Sequence, residues 1–181
     1  MKRFLNIFLL VILIIFTFCS CGLYDDGMNL FEDKDNKLAD ACIDNLYNAI
    51  KDGDKEAVKD LFSNKAYSDA NNIEASIDEL LQFINGELLS WDREESPIVE
   101  DCVESGKTTK HEMFWFSLKT SEENYSIFLS YYPVEEINPN NKGIYSMLII
   151  KKCDEDTLEG STNEWSAVPG IKICNTNSDR D

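Results

Sequence analysis

An α+β domain, with N-terminal helices packed on a curved antiparallel sheet, is what three observations on this 181-residue sequence predict. Between Lys37 and Asn85 the apolar residues recur at helical spacing. From Glu87 onward they give way to runs rich in aromatic and β-branched residues, with turn-forming clusters between them. Helices followed by consecutive strands, with no alternation of the two, make the α+β class.

Three helices are expected. In Lys37 to Lys51, Leu38, Ala41, Cys42, Leu46, Ala49 and Ile50 form an apolar stripe opposite acids and amides. Gly53 stops this helix, and Asp54 is placed to cap the next, Lys55 to Phe62, whose Val58, Leu61 and Phe62 face inward. The third runs from about Asn72 to Asn85 on Ile73, Ile77, Leu80, Leu81 and Ile84, and Gly86 ends it.

The strands follow as Leu88 to Trp91, Ile98 to Val103, His111 to Lys119, Tyr125 to Val134 and Ile144 to Lys151, with a short edge run at Gly170 to Cys174. Glu104-Ser105-Gly106, Ser121-Glu122-Glu123-Asn124 and Asn138-Pro139-Asn140-Asn141-Lys142-Gly143 supply turns. Glu112 to Phe116 and Ile127 to Tyr132 are apolar on nearly both faces, where a half-solvated sheet would alternate. The second face is therefore expected to be covered, by a partner subunit, the C-terminal segment or a ligand.

The chain opens with Met1-Lys2-Arg3 and is then apolar from Phe4 to Phe18 except for Asn6 and Thr17. A short basic region, an apolar core and a small-residue exit make the form of a secretory signal. The core is shorter than the roughly 20 residues of a spanning helix, so it reads as a signal and not a permanent span. The order Phe18-Cys19-Ser20-Cys21-Gly22 resembles a bacterial lipobox, in which a small residue precedes a cysteine that is lipidated and becomes the mature N-terminus. Ser20 supplies that small residue for Cys21, whereas Cys19 follows the bulky Phe18, so the resemblance implies Cys21 as the lipid attachment site. A diacylglycerol thioether plus an N-acyl chain such as palmitate provides the several buried chains that stable anchoring requires. The expected place is the cell membrane, on its extracytoplasmic face.

Residues 1–20 then form the signal peptide, 21–36 an acidic tether, 37–175 a single domain and 176–181 a polar tail. The formal net charge is −17, and removal of the signal takes away Lys2 and Arg3 and no acid. Such a balance argues against nucleic acid or anionic lipid head groups as partners, since those interactions need clustered Lys and Arg. Solubility outside the cell is the simplest account of the acidity.

The run Asn48-Ala49-Ile50-Lys51-Asp52-Gly53-Asp54-Lys55-Glu56-Ala57-Val58-Lys59-Asp60-Leu61-Phe62-Ser63 resembles the start of nuclear-transport-factor-2-like, cystatin-like domains. The strand Tyr125 to Tyr132, the Asn-Pro-Asn-Asn-Lys-Gly turn and Gly143-Ile144-Tyr145-Ser146 resemble an uncharacterised family of lipoproteins from Clostridia-type bacteria. These resemblances imply a cone-shaped architecture and no particular chemistry, because that fold hosts enzymes, pocket binders and dimerisation modules alike.

No catalytic set is expected. His111 is the single histidine and reads as an exposed or edge residue, with Glu112 adjacent but on the opposite face of its strand. A serine triad would need this same His111, and no Gly-x-Ser-x-Gly elbow supports one. Asp33-Lys34-Asp35-Asn36-Lys37 lacks the glycine and closing glutamate of a calcium loop, and no Cys-x-x-Cys pair supports zinc, so no metal and no cofactor is expected. Cys153 and Cys174, each at the end of a predicted strand, are the candidate disulfide, while Cys42 lies on an apolar stripe and reads as a buried small hydrophobe. Trp91, Trp115, Tyr125, Tyr131, Tyr132 and Tyr145 are read first as packing and second as the lining of a ligand pocket. The expected function is a binding or interaction module with a small ligand or envelope protein as partner, or a homodimer through the sheet. The alternative is a small pocket enzyme, a hydrolase or isomerase.

Overall fold

Each short helix starts where a polar side chain takes over an orphan backbone N–H. In the computed structural model, which describes residues 23–175 and their side chains from Lys34 on, Asp54 accepts from the Ala57 amide at 3.0 Å and opens α2 (Lys55–Asp60). Ser63 does the same for α3 (Asn64–Asp69) through Ala66, and Asn72 for α4 (Ile73–Phe83) through Ala75. Ahead of them lies α1 (Leu23–Asp52), the longest helix described. It begins 14 residues before the expected Lys37 and so includes most of the segment read as a tether, whose part from Leu23 on has one Gly and no Pro to interrupt a helix. The signal segment, Cys21 and the polar tail lie outside the described residues.

The chain divides into two compact units, Met1–Asp35 and Asn36–Asp181, and the sheet lies in the second. Its strands are β1 (Leu88–Arg93), β2 (Ile98–Glu104), β3 (Lys107–Thr120), β4 (Asn124–Glu135), β5 (Gly143–Lys151) and β6 (Gly170–Cys174), close to the expected boundaries. They form one sheet in the order β1-β3-β4-β5-β6, with β2 also paired to β3. β1 pairs with the C-terminal half of β3 and β2 with its N-terminal half, so the two lie along the same edge. The sheet is antiparallel except for β6, which runs parallel to β5. The long β5–β6 connection, with a 3₁₀ turn at Lys152–Thr157 and α5 (Thr162–Ser166), makes that crossover feasible. Register shifts in the β1–β3, β3–β4 and β4–β5 pairs mark bulges, which bend strands and increase their twist.

Apolar burial is on both faces. On the inner face, α1 contributes Ala39, Cys42, Ile43, Leu46, Ala49 and Ile50, and α4 Ile73, Ile77 and Leu80, against Phe114, Phe116, Leu118, Tyr125, Ile127 and Leu129. The stripe of α1 is phased differently from the expected one: Ala41 is exposed, and Ala39 and Ile43 take the inward positions that i, i+3, i+4 spacing from Cys42 and Leu46 requires. Tyr125 is fully buried, and its hydroxyl donates to the Phe83 carbonyl at 3.1 Å and accepts from the Asn85 amide at 2.8 Å. That pair fastens the end of α4 to β4.

On the outer face Met113, Phe128, Leu148 and Ile150 form a second cluster, with Trp115, Leu158, Trp165 and Cys174 packed against it. Leu158 and Trp165 come from the β5–β6 connection, so the C-terminal segment, one of the three expected occupants, covers this part of the sheet. Trp165 stands edge-on to Trp115 at 5.4 Å, and Ser146 holds its carbonyl through a 2.7 Å bond. Gly143 lets β5 meet the segment before α3: a Cβ there would lie 2.9 Å from both the Leu61 carbonyl oxygen and the Ser63 amide nitrogen. The Ser63 amide donates to Ile144, and the Ile144 amide to Leu61, across that junction.

Candidate functional site

His111 sits in the middle of β3 and not at its start, because the strand begins at Lys107 and β2 flanks it. It is therefore not the exposed residue expected: only 12% of its side chain is accessible. Its ring stacks on Tyr132 of β4, with centroids 4.3 Å apart and planes 9° from parallel. Nε2 lies 2.8 Å from Ser130 Oγ, and Nδ1 lies 3.4 Å from Glu100 Oε2.

Three strands make this arrangement. The two-residue Ser105-Gly106 turn, with φ of 52° and 78°, has the positive dihedrals of a type I′ hairpin and sets Glu100 opposite His111. The β3–β4 register then brings Met113 opposite Ser130, so His111, two residues before Met113 and on the same face, meets Ser130 diagonally and stacks on Tyr132. A carboxylate can only accept, so a neutral ring donates from Nδ1 to Glu100 and accepts the Ser130 hydroxyl at Nε2. That is the proton pattern of a hydrolytic triad, with a long carboxylate contact. Burial holds the imidazole pKa below its ordinary value and outweighs the opposing pull of Glu100, which favours the neutral ring.

Access argues the other way. Ser130 is fully buried and paired with Ser146, which is itself tied to α5. Among the described residues, clefts open at three other places, and none of these is lined by Glu100, His111 or Ser130. The one richest in aliphatic side chains, of about 260 Å³, lies between the end of α1 and the end of α4, lined by Ile50, Lys51, Leu81, Ile84, Gly86, Glu87 and Leu88.

Glu112 points to the inner face, as strand alternation requires, and is fully buried near Cys42 of α1 and Tyr131 of β4. Burial, with the nearby Glu112 charge, pushes the Cys42 thiol well above its usual range. The Tyr131 hydroxyl is raised by burial first, then by Cys42 and Glu112. Such a thiol is inert at neutral pH, in keeping with a structural Cys42.

The aromatic residues mostly pack or tie elements together. Trp91 donates to Asp44 at 2.9 Å, Tyr145 to Asp69 at 3.1 Å, and Trp115 belongs to the outer cluster. Cys153 is exposed in the 3₁₀ turn, and Cys174, half-buried at the end of β6, sits opposite Ile150, three residues before Cys153. Among the described residues no group of three or more His, Cys, Asp or Glu is gathered to hold a metal ion, and no helix is long and apolar enough to cross a membrane.

Sequence reasoning missed Ser130 altogether and read Glu100 only as part of a strand. The register of the two-residue hairpin could have found Glu100. Nothing local marks Ser130, since its place diagonal to His111 depends on the register of β3 against β4.

Residues 45–152, more than half the chain and all of the Glu100–His111–Ser130 group, match a family described as a domain of unknown function (DUF5104), and the chain belongs to that family. No curated protein matches it.

Proposed function

We propose that this family member is a membrane-anchored, extracytoplasmic lipoprotein, of the kind found in Clostridia-type bacteria, whose domain serves as a binding or interaction module on a nuclear-transport-factor-2-like, cystatin-like scaffold. The lipobox-like Phe18-Cys19-Ser20-Cys21-Gly22 supports the anchor, at Cys21. One observation carries the choice of module over enzyme: Ser130, the only side chain placed to act as a nucleophile toward His111 among the described residues, is completely buried. A nucleophile must reach a substrate carbonyl, and this hydroxyl is spent inside the sheet.

The second reading, a small hydrolase, is favoured by the 2.8 Å Ser130–His111 contact with Glu100 beyond it. A fluorophosphonate probe separates the two. The module reading expects Ser130 to stay unlabelled in the folded protein, while labelling of Ser130 that disappears in His111→Gln would establish the hydrolase.

A further inference from the structure

The outer edge of the sheet at β2 has a feature that the anchored-module reading leaves unused. In a two-residue hairpin the closing pair, here Glu104 and Lys107, exchanges both backbone hydrogen bonds, and bonded and non-bonded pairs then alternate. Cys102, Glu100 and Ile98 thus turn their amides and carbonyls toward β3. Val103, Asp101 and Val99 turn theirs away from it. The neighbouring contacts agree: Thr108, opposite Val103, spends its amide on Glu136 Oε2 at 2.8 Å and its carbonyl on the Glu136 amide at 3.0 Å, both on the side away from β2.

No other strand of the described residues covers that edge. Every residue of β2 except Val99 is exposed, and Val103 and Ile98 are 70% and 54% accessible. Acidic Glu100, Asp101 and Glu104 occupy three of its seven positions, and it carries no Lys or Arg. Natural edges are normally blunted by bulges, inward charges or covering segments. Here the outward ladder of β2 is regular, since its pairing to β3 shows no register shift.

We propose that the outer edge of β2 binds an extended basic segment of a partner protein by strand addition. Val99, Asp101 and Val103 supply the backbone ladder, exposed Ile98 and Val103 the apolar contacts, and Glu100, Asp101 and Glu104 the selection for Lys and Arg at alternating positions. A second copy of this chain fits less well. Antiparallel pairing of β2 with itself about Asp101 would set Asp101 directly opposite Asp101 and bring the other acids of both copies to one edge with no Lys or Arg, in a molecule of charge −17, and like charges across strands are destabilising. This deepens the module reading and rests on it.

The test uses the full chain in a zwitterionic detergent and a fluorescent nine-residue peptide of alternating Lys and Val, followed by anisotropy. Saturable, salt-sensitive binding is expected. Val103→Pro removes an outward amide without touching the β2–β3 ladder, and should weaken binding roughly tenfold, the worth of one or two backbone hydrogen bonds. As a check that leaves the protein intact, the same peptide N-methylated at alternate amides should bind no better than that variant does. Failure to bind, or equal binding by Val103→Pro and by the methylated peptide, overturns the edge site. Self-association that Val103→Pro abolishes would overturn it in favour of a second copy. None of these results bears on the anchored-module reading, which falls only if Ser130 reacts with fluorophosphonate or Cys21 carries no lipid.

Discussion

At the scale of single residues, the polar group on the outer face has a definite pH signature. His111 is held below its ordinary pKa, so as pH falls the unfolded chain takes up the proton before the folded one does. Its contribution to stability is complete above about pH 6.5, the ordinary histidine value, and is lost as pH falls through the lower folded pKa. Urea unfolding at pH 7.5 and 5.5 should show a larger acid loss in the wild type than in His111→Gln; equal losses would mean the ring is not buried as described. Tyr125 offers a second test. Its hydroxyl serves both Phe83 and Asn85 from a fully buried position, so Tyr125→Phe strands a carbonyl and an amide and should cost about 1–3 kcal/mol in denaturant unfolding.

Legibility also divides at this scale. Glu100 opposite His111 follows from Ser105-Gly106 alone, because a two-residue turn fixes the register of everything behind it. Ser130 does not follow, because it lies on the next strand, diagonal to His111, and its register is set through the longer connection at residues 121–123. A histidine expected at the exposed start of its strand lies mid-sheet because the strand begins at Lys107 and β2 flanks it.

Among the elements, apolar periodicity specified α4 and the strand runs marked all six strands to within a few residues, while the six-residue α2 was marked by the Gly53 stop and the Asp54 cap. α3 and α5 were missed because helices of six and five residues are too short to show a period. Their only signals are the caps, Ser63 and the Ser161–Glu164 capping box. The parallel direction of β6 was also hidden, since an isolated five-residue run carries no information about its partner's direction. α5 matters out of proportion to its length, because it delivers Trp165 onto Trp115 and Phe128. Trp165→Ala should remove that half-buried cover and lower unfolding stability by about 2 kcal/mol or more, with new dye-accessible apolar surface around Phe128 and Leu148. An unchanged midpoint and no dye binding would show that the segment adds nothing to the outer cluster.

For the whole molecule, the doubly apolar β3 and β4 are explained by two packed faces, α1 and α4 on one side and the C-terminal crossover on the other. That arrangement spends most of the sheet on its own core and leaves β2 as an accessible edge. On the proposed reading, an acidic domain held at a membrane surface by lipid would meet basic segments of neighbouring envelope proteins, and a buried Ser130 suits that role better than turnover. The anchored module depends on Cys21 as its tether. Intact-mass measurement of the protein extracted from its native membrane tests it most directly. A chain beginning at Cys21 and heavier by a diacylglyceryl group and an N-acyl chain, with release into the medium on Cys21→Ala, is the predicted result; a chain that keeps residues 1–20, or one cleaved there without lipid, would contradict it.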